Sequence, residues 1–248
     1  MSGHSKWAQI KRQKGAADAK RGQLFTKLGR EISVAAREGA DPSANSRLRI
    51  AIQRARDANM PLDTIERAVK RGAGAGEGAN YQEITYEGYG PGGAAVLVRA
   101  MTDNRNRAAA EVRSVFSRNG GNLGESGCVS WLFDAKGVIT VEVDGNDPDD
   151  LALRAIDAGA EDVQVGDGVV DVYTDLSSLE PVRESLERED VAVAAAEMQM
   201  IPKTTVDLDD RSAEQLYRLI DKLEELDDVQ DVFTNSEISD EVAARLVG

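Results

Sequence analysis

Residues 137–196 read GVITVEVDGNDPDDLALRAIDAGAEDVQVGDGVVDVYTDLSSLEPVRESLEREDVAVAAA, and this stretch decides the fold. Four short runs rich in β-branched residues predict strands: Val138–Val143, Asp162–Val165, Val169–Tyr173 and Val191–Glu197. Two longer runs with helical spacing, Pro148–Ala158 and Leu176–Arg188, lie between the first and second and between the third and fourth. Val165-Gly166-Asp167-Gly168 is a tight hairpin between the middle strands. Strand-helix-strand-strand-helix-strand is the order of a ferredoxin-like unit.

On either side the pattern is similar but broken. Glu83–Glu87 predicts a short strand and Gly88-Tyr89-Gly90-Pro91-Gly92-Gly93 a turn. Ala94–Ala100 predicts an apolar strand, Arg105–Arg118 a helix and Val129–Phe133 a strand. Beyond the central stretch come a strand at Met198–Ile201, a helix at Ser212–Leu226 and a strand at Val229–Thr234. Joining the strand-helix-strand at 94–133 to 197–248 completes a second ferredoxin-like unit, interrupted by the first. The expected domains are 1–80, a discontinuous 81–133 with 197–248, and an inserted acidic 134–196. The expected class is α+β, an N-terminal helical domain followed by two ferredoxin-like α/β domains, one inserted into the other.

The N-terminal part is chemically different. Residues 1–80 carry 16 Lys and Arg against 8 Asp and Glu, a balance of +8, whereas residues 81–248 carry 14 against 36, a balance of −22. Residues 1–23 form a basic arm containing Lys6, Lys11, Arg12, Lys14, Lys20 and Arg21. A helix is expected over 18–38, with Leu24, Phe25, Leu28, Ile32 and Ala35 on one face and Lys20, Lys27, Arg30 and Arg37 opposite. A second runs from Ser46 to Ala58, capped by Asn45, with Leu48, Ile52 and Ala55 inward and Arg47, Arg49, Arg54 and Arg56 flanking. A third spans Leu62–Arg71 and carries Lys70 and Arg71. The Gly/Ala run at 72–79 reads as a linker. Its loose G-x-G-x-x-A leaves a helix and leads to a strand, the reverse of a dinucleotide fingerprint.

Composition excludes several classes. The chain has 248 residues, 41% of them apolar, without an 18-residue apolar run or a secretory leader. Membrane binding is disfavoured too, because the basic helices lack a Trp/Phe/Leu-rich opposite face. One cysteine, Cys128, leaves no internal disulfide, and one histidine, His4, leaves no histidine metal cluster or Ser-His-Asp triad. These absences predict a cytoplasmic protein without cofactor or metal. Cys128 beside an apolar strand reads as a buried structural thiol. The acidic residues Asp144, Asp147, Asp149, Asp150, Asp157, Glu161, Asp162 and Asp167 do not follow EF-hand spacing. They read as a solubilising surface, or as one that meets a basic protein partner.

The chemistry that remains is phosphate binding. Lys and Arg neutralise nucleic-acid backbones, and Trp7 among cations can stack on an unpaired base. A solvated basic face, or one pairing with the chain's own acidic domains, is the competing reading. In Thr102-Asp103-Asn104-Arg105-Asn106-Arg107, Asp103 or Asn104 caps the following helix, and Arg105 and Arg107 can reach a phosphate.

Several stretches resemble the YebC/PmpR family of bacterial proteins, which has a mitochondrial translational-activator branch. They are Gly3-His4-Ser5-Lys6-Trp7, Ala19-Lys20-Arg21-Gly22, Phe25-Thr26-Lys27-Leu28, Asn59-Met60-Pro61, Ile65-Glu66-Arg67-Ala68 and Tyr86 to Gly93. Thr102 to Arg107, Asn119 to Gly124 and Leu226 to Val232 complete the set. The resemblance implies three domains and no enzymatic activity. It implies DNA-binding transcriptional regulation or, alternatively, a ribosome-associated factor that binds rRNA or tRNA and relieves stalling at proline-rich sequences. It raises His4, Lys6 and Trp7, of which His4 is a bystander on chemistry alone. The expected partner is therefore DNA or structured RNA, met by the arm and by Lys27, Arg30, Arg47, Arg54, Lys70, Arg71, Arg105 and Arg107.

Overall fold

A computed structural model describes residues 18–74, 81–166 and 168–247. The helical part is built from α1 (Asp18–Ala35), α2 (Ser46–Asp57) and α3 (Leu62–Gly72). Asn45 organises the first corner. Its side chain accepts from the Leu48 backbone N–H at 3.0 Å, capping α2, and donates to the carbonyls of Ala35 and Gly39. The expected extension of α1 to residue 38 tightens instead into a 3₁₀ turn, Ala36–Glu38. Leu28, Ile32, Ala35, Leu48, Ala51, Ala55, Met60, Ile65 and Ala68 close the core, while Leu24 stays exposed. Gly72 is where α3 meets α1: a Cβ there would sit 2.2 Å from the Ser33 carbonyl oxygen.

The first sheet contains β1 (Gln82–Tyr89), β2 (Ala95–Thr102), β3 (Asn122–Leu123) and, from the far end of the chain, β9 (Val229–Thr234), in the order β3-β1-β2-β9. Every neighbouring pair is antiparallel. α4 (Arg105–Arg118) and α7 (Asp210–Glu224) cover one face, where Val96, Val98, Phe116, Leu216, Leu219 and Leu223 pack. Ala95 and Leu97 point to the other face, against Val129, Phe133 and Phe233. Burial on both faces explains the apolar run Ala95–Val98 of β2, which ends at Arg99, paired with Asp231 of β9.

The strands match the ferredoxin layout in space, but not in chain order. The central strand beside β2 is β1, which precedes β2 by a tight turn, rather than a strand following residue 196. This corrects the expected second unit, which is built from the strand-helix-strand at 94–133 and a strand at Met198–Ile201.

The inserted sheet contains β4 (Phe133–Glu142), β5 (Asp162–Val165), β6 (Val169–Thr174) and β7 (Val193–Pro202), in the order β5-β6-β4-β7. α5 (Pro148–Asp157) and α6 (Leu179–Arg188) pack on it through Leu151, Ala155, Leu179, Val182 and Leu186. This is the ferredoxin-like unit expected for the central stretch. Two strands are longer than expected. β7 pairs with β4 from Phe133↔Pro202 to Val141↔Val193, so Met198–Ile201 continues it and residues 197–202 belong to this sheet. β4 runs through Gly137, where a Cβ would meet Thr174 and Leu179. The expected strand at Val129–Phe133 is a 3₁₀ turn, Ser130–Leu132, leading into β4. Short β8 (Val206–Asp207) and β10 (Ser236–Glu237) pair in parallel, and α8 (Asp240–Val247) ends the described chain. No helix among the described residues is long and apolar enough to cross a membrane.

Candidate nucleic-acid interface

Lys27 and Arg30 of α1 do not face solvent freely; they face the end of α7. A helix leaves its last carbonyls without intrahelical partners and its C-terminus partially negative. Lys27 Nζ donates to the Glu224 carbonyl at 2.7 Å, and Gln23 Nε2 to the Glu225 carbonyl at 2.6 Å. The Arg30 guanidinium donates to the Asp227 carbonyl and, at 2.8 Å, to Asp228 Oδ1. It also lies 5.2 Å from the Tyr81 ring centroid, within cation–π reach. The helical part therefore caps α7 from outside.

Asp228 is the centre of this junction. It is only 4% exposed. Its Oδ2 accepts from Thr102 Oγ1 and from Arg107 Nη2, each at 2.8 Å, while Oδ1 serves Arg30. Burial alone would raise its pKa. The hydrogen bonds from Arg107 and Thr102 and the charges of Arg30 and Arg107 outweigh that and hold it below the usual carboxylate range. Arg107 also pairs with Asp103 at 2.9 Å, and these partners raise its pKa further. Asn104 caps α4 by accepting from the Arg107 N–H, so the capping expectation falls on Asn104.

A second cluster surrounds α2. Arg54 meets Glu31 of α1 at 3.0 Å, Glu197 of β7 at 3.1 Å and Asp231 of β9 at 3.7 Å. Burial would lower its pKa, but the three carboxylates outweigh burial and raise it, so its charge is fixed. Asp231 is shared with Arg99 of β2. Arg47 pairs with Glu83 of β1 and with Glu38, and Arg49 approaches Glu180 at 4.0 Å.

The remaining candidates divide in two. Lys70 and Arg71 in the last turn of α3, and Arg105 in the first turn of α4, are exposed and make no ion pair with another described residue. His4, Lys6, Trp7, Lys11, Arg12 and Lys14 lie outside the described residues, as does the side chain of Lys20; Arg21 is exposed and engaged within the chain. Asp167 of the expected hairpin also lies outside them.

Sequence reasoning missed the acceptors. Asp228, Glu197, Asp231 and Glu83 have no role assigned by the sequence, and no local spacing ties them to arginines far away in the chain. It also missed Glu87, a 5% exposed carboxylate that accepts from the backbone N–H groups of Gly127, Val129 and Ser130 at 2.7–2.9 Å. Burial would raise its pKa; those bonds outweigh burial and lower it. Glu87 thereby fixes the turn into β4. Cys128 in this loop is half-buried rather than fully buried, and burial, then the Glu87 charge, raises its pKa. Such a thiol is held in its neutral form.

Comparison with known proteins assigns the family. Residues 5–75 match the sequence model described as the TACO1/YebC protein N-terminal domain, and residues 81–236 match that of the TACO1/YebC second and third domain. The chain is 56% identical over 246 residues to the probable transcriptional regulatory protein cbdbA400 of Dehalococcoides mccartyi, covering 99% of this chain and 98% of that one. It is 56% identical over 243 residues to a probable transcriptional regulatory protein of Desulfosudis oleivorans, covering 98% and 99%. The crystal structure of a conserved hypothetical protein, Aq1575, from Aquifex aeolicus superposes with a TM-score of 0.84 at 51% identity, covering 90% of this chain and 93% of that one. With both family models matched and full-length relatives above half identity, the chain belongs to the TACO1/YebC family.

Proposed function

We propose that the protein is a non-enzymatic regulator of gene expression that binds nucleic acid, DNA in the first instance. Its relatives carry the name probable transcriptional regulatory protein. The observation that carries the reading for this chain is that three of the candidate cations are uncompensated. Lys70, Arg71 and Arg105 stay exposed without a carboxylate among the described residues, in a chain with 44 acidic and 30 basic side chains. The arm with Lys6, Trp7, Lys11, Arg12 and Lys14 adds charge and an aromatic ring for stacking. Arg107, Arg30, Arg47 and Arg54 hold the chain's own acceptors in this state and are not its first contacts.

The test is binding of a random-sequence DNA duplex and of a structured RNA by fluorescence anisotropy as salt is varied. Replacing Lys70, Arg71 and Arg105 by Ala weakens binding across sequences and flattens the salt slope by about one unit per lost contact. An unchanged slope removes these residues from the interface. A strong preference for structured RNA transfers the protein to the ribosome-associated reading.

A further inference from the structure

We infer that the cation face of α1 and α2, formed by Lys27, Arg30, Arg47 and Arg54, is a second phosphate-backbone site, filled in this structure by acceptors of the chain's own body. The inference rests on the nucleic-acid reading above and adds its regulation. Three observations carry it.

The first is chemical equivalence. Arginine recognises carboxylate and phosphate with the same guanidinium geometry. Each of the four cations has an anionic or carbonyl acceptor from outside the helical part: the Glu224 carbonyl for Lys27, Asp228 for Arg30, Glu83 for Arg47, and Glu197 with Asp231 for Arg54.

The second is how little else holds the junction. The core of the helical part is closed by its own residues. Among the described residues of the helical part, Ile50 is the one grouped with the core of the inserted sheet. A junction made mainly of ion pairs is weakened by salt and by competing polyanions. Polar interfaces between domains of one chain open more readily than apolar ones.

The third is the sign of the exchange. The body repels a polyanion, since residues 81–248 carry a balance of −22. A backbone that reaches the cation face must displace the body's carboxylates and thereby move the acidic surface away. Closure lowers the apparent affinity by the fraction of molecules that are open.

The experiment uses the full chain with Cys128→Ala, Ala44→Cys and Ser177→Cys, the last two exposed positions carrying a dye pair. The probe is a short random-sequence DNA duplex between about 50 and 200 mM salt. Glu83→Gln with Glu197→Gln unlatches the junction. Asp149→Asn with Asp150→Asn, on the outer side of α5, changes net charge equally and serves as the control. The junction variant is expected to bind about two- to thirty-fold tighter than the control variant, with a steeper salt slope. Energy transfer is expected to fall as duplex is added to the unsubstituted junction. Equal gains in the two variants, or unchanged energy transfer while duplex binds, overturns the covered site and leaves the proposed function intact. No duplex or RNA binding by any form at low salt overturns the nucleic-acid reading, and the covered site with it.

Discussion

Replacing Asp228 by asparagine probes the junction with almost no change in shape. The carboxylate receives Arg30 on Oδ1, and Thr102 and Arg107 on Oδ2. An amide offers one oxygen and one NH₂. If the oxygen keeps Thr102 and Arg107, the NH₂ faces the Arg30 guanidinium, donor against donor. If the oxygen keeps Arg30, the NH₂ faces Arg107, which retains Asp103 and has a side chain 46% exposed. The second orientation is cheaper. It loses the charge-assisted bond from Arg107 at a partly wet position, leaves the Thr102 hydroxyl to donate to the Asn104 carbonyl at 3.1 Å instead, and turns the Arg30 bond into a bond with a neutral acceptor. Bonds to charged groups contribute about 1.5–3 kcal/mol and are roughly twice as strong as neutral ones. Discounted for exposure, the expected loss is about 2–3 kcal/mol, or roughly 4–12 °C in Tm for a chain of this length. Asp228→Ala, which strands both arginines, is expected to cost about 3–5 kcal/mol. The assay is urea denaturation followed by far-UV circular dichroism, with Asp227→Asn, an exposed neighbour, as control. Arg30→Met is expected to cost less in the Asp228→Asn background than alone. A loss below about 0.5 kcal/mol, or one equal to that of Asp227→Asn, refutes the junction as a source of stability.

Glu87→Gln puts an NH₂ against backbone donors and is expected to cost about 2 kcal/mol; hydrogen exchange at Gly127, Val129 and Ser130 should accelerate while α1–α3 are unchanged. Asn45→Ala removes a helix cap and strands the carbonyls of Ala35 and Gly39, for an expected loss of about 2–3 kcal/mol by urea denaturation. Asp228 and Glu87 both have lowered pKa values, so their stabilisation is complete above the unfolded values of about 3.9 and 4.3 and is lost as pH falls through the lower folded ones. The urea midpoint should therefore fall more steeply below about pH 4 in the unsubstituted chain than in the double variant Asp228→Asn, Glu87→Gln.

Where local pattern carries the information, the sequence is readable. The strand expected at Val229–Thr234 is observed with those bounds, and the caps at Asn45 and Asn104 follow from side-chain chemistry within three residues. The inserted unit is legible because its strands and helices alternate cleanly. The order of strands around β2 is not legible. Glu83–Glu87 looks like a short, half-polar strand because Glu87 faces inward, and what satisfies it is a loop 40 residues away. β4 looks interrupted because Gly137, which weakens a strand in isolation, is demanded here by Thr174 and Leu179. The helix α8 follows Ile238, whose burial with Ala213 and Val242 is a tertiary event. At the junction, the arginines are legible as cations, but a cation's choice between carboxylate and phosphate is not written in its own neighbourhood.

The two arginines at the heart of the junction differ in a way that orders its opening. Arg54 keeps Glu31, from the same helical part, whether or not Glu197 and Asp231 are present. Removal of the body leaves it paired, so that step avoids the full penalty of an isolated guanidinium. Arg30 has no such reserve among its observed partners: the Asp227 carbonyl, Asp228 and the Tyr81 ring all lie beyond α3. Breaking one side of a buried pair costs several kcal/mol because the other charge is left alone. On the covered-site proposal, an incoming phosphate stabilises the open form most at Arg30, beside Lys27 on the same helix. Ordinary salt screens the Arg47–Glu83 contact, whose partners are about 40% exposed, more readily than it replaces Asp228. Opening should begin at α2, where the partners are wet or replaceable, and be completed at α1 only when an anion takes the place of Asp228.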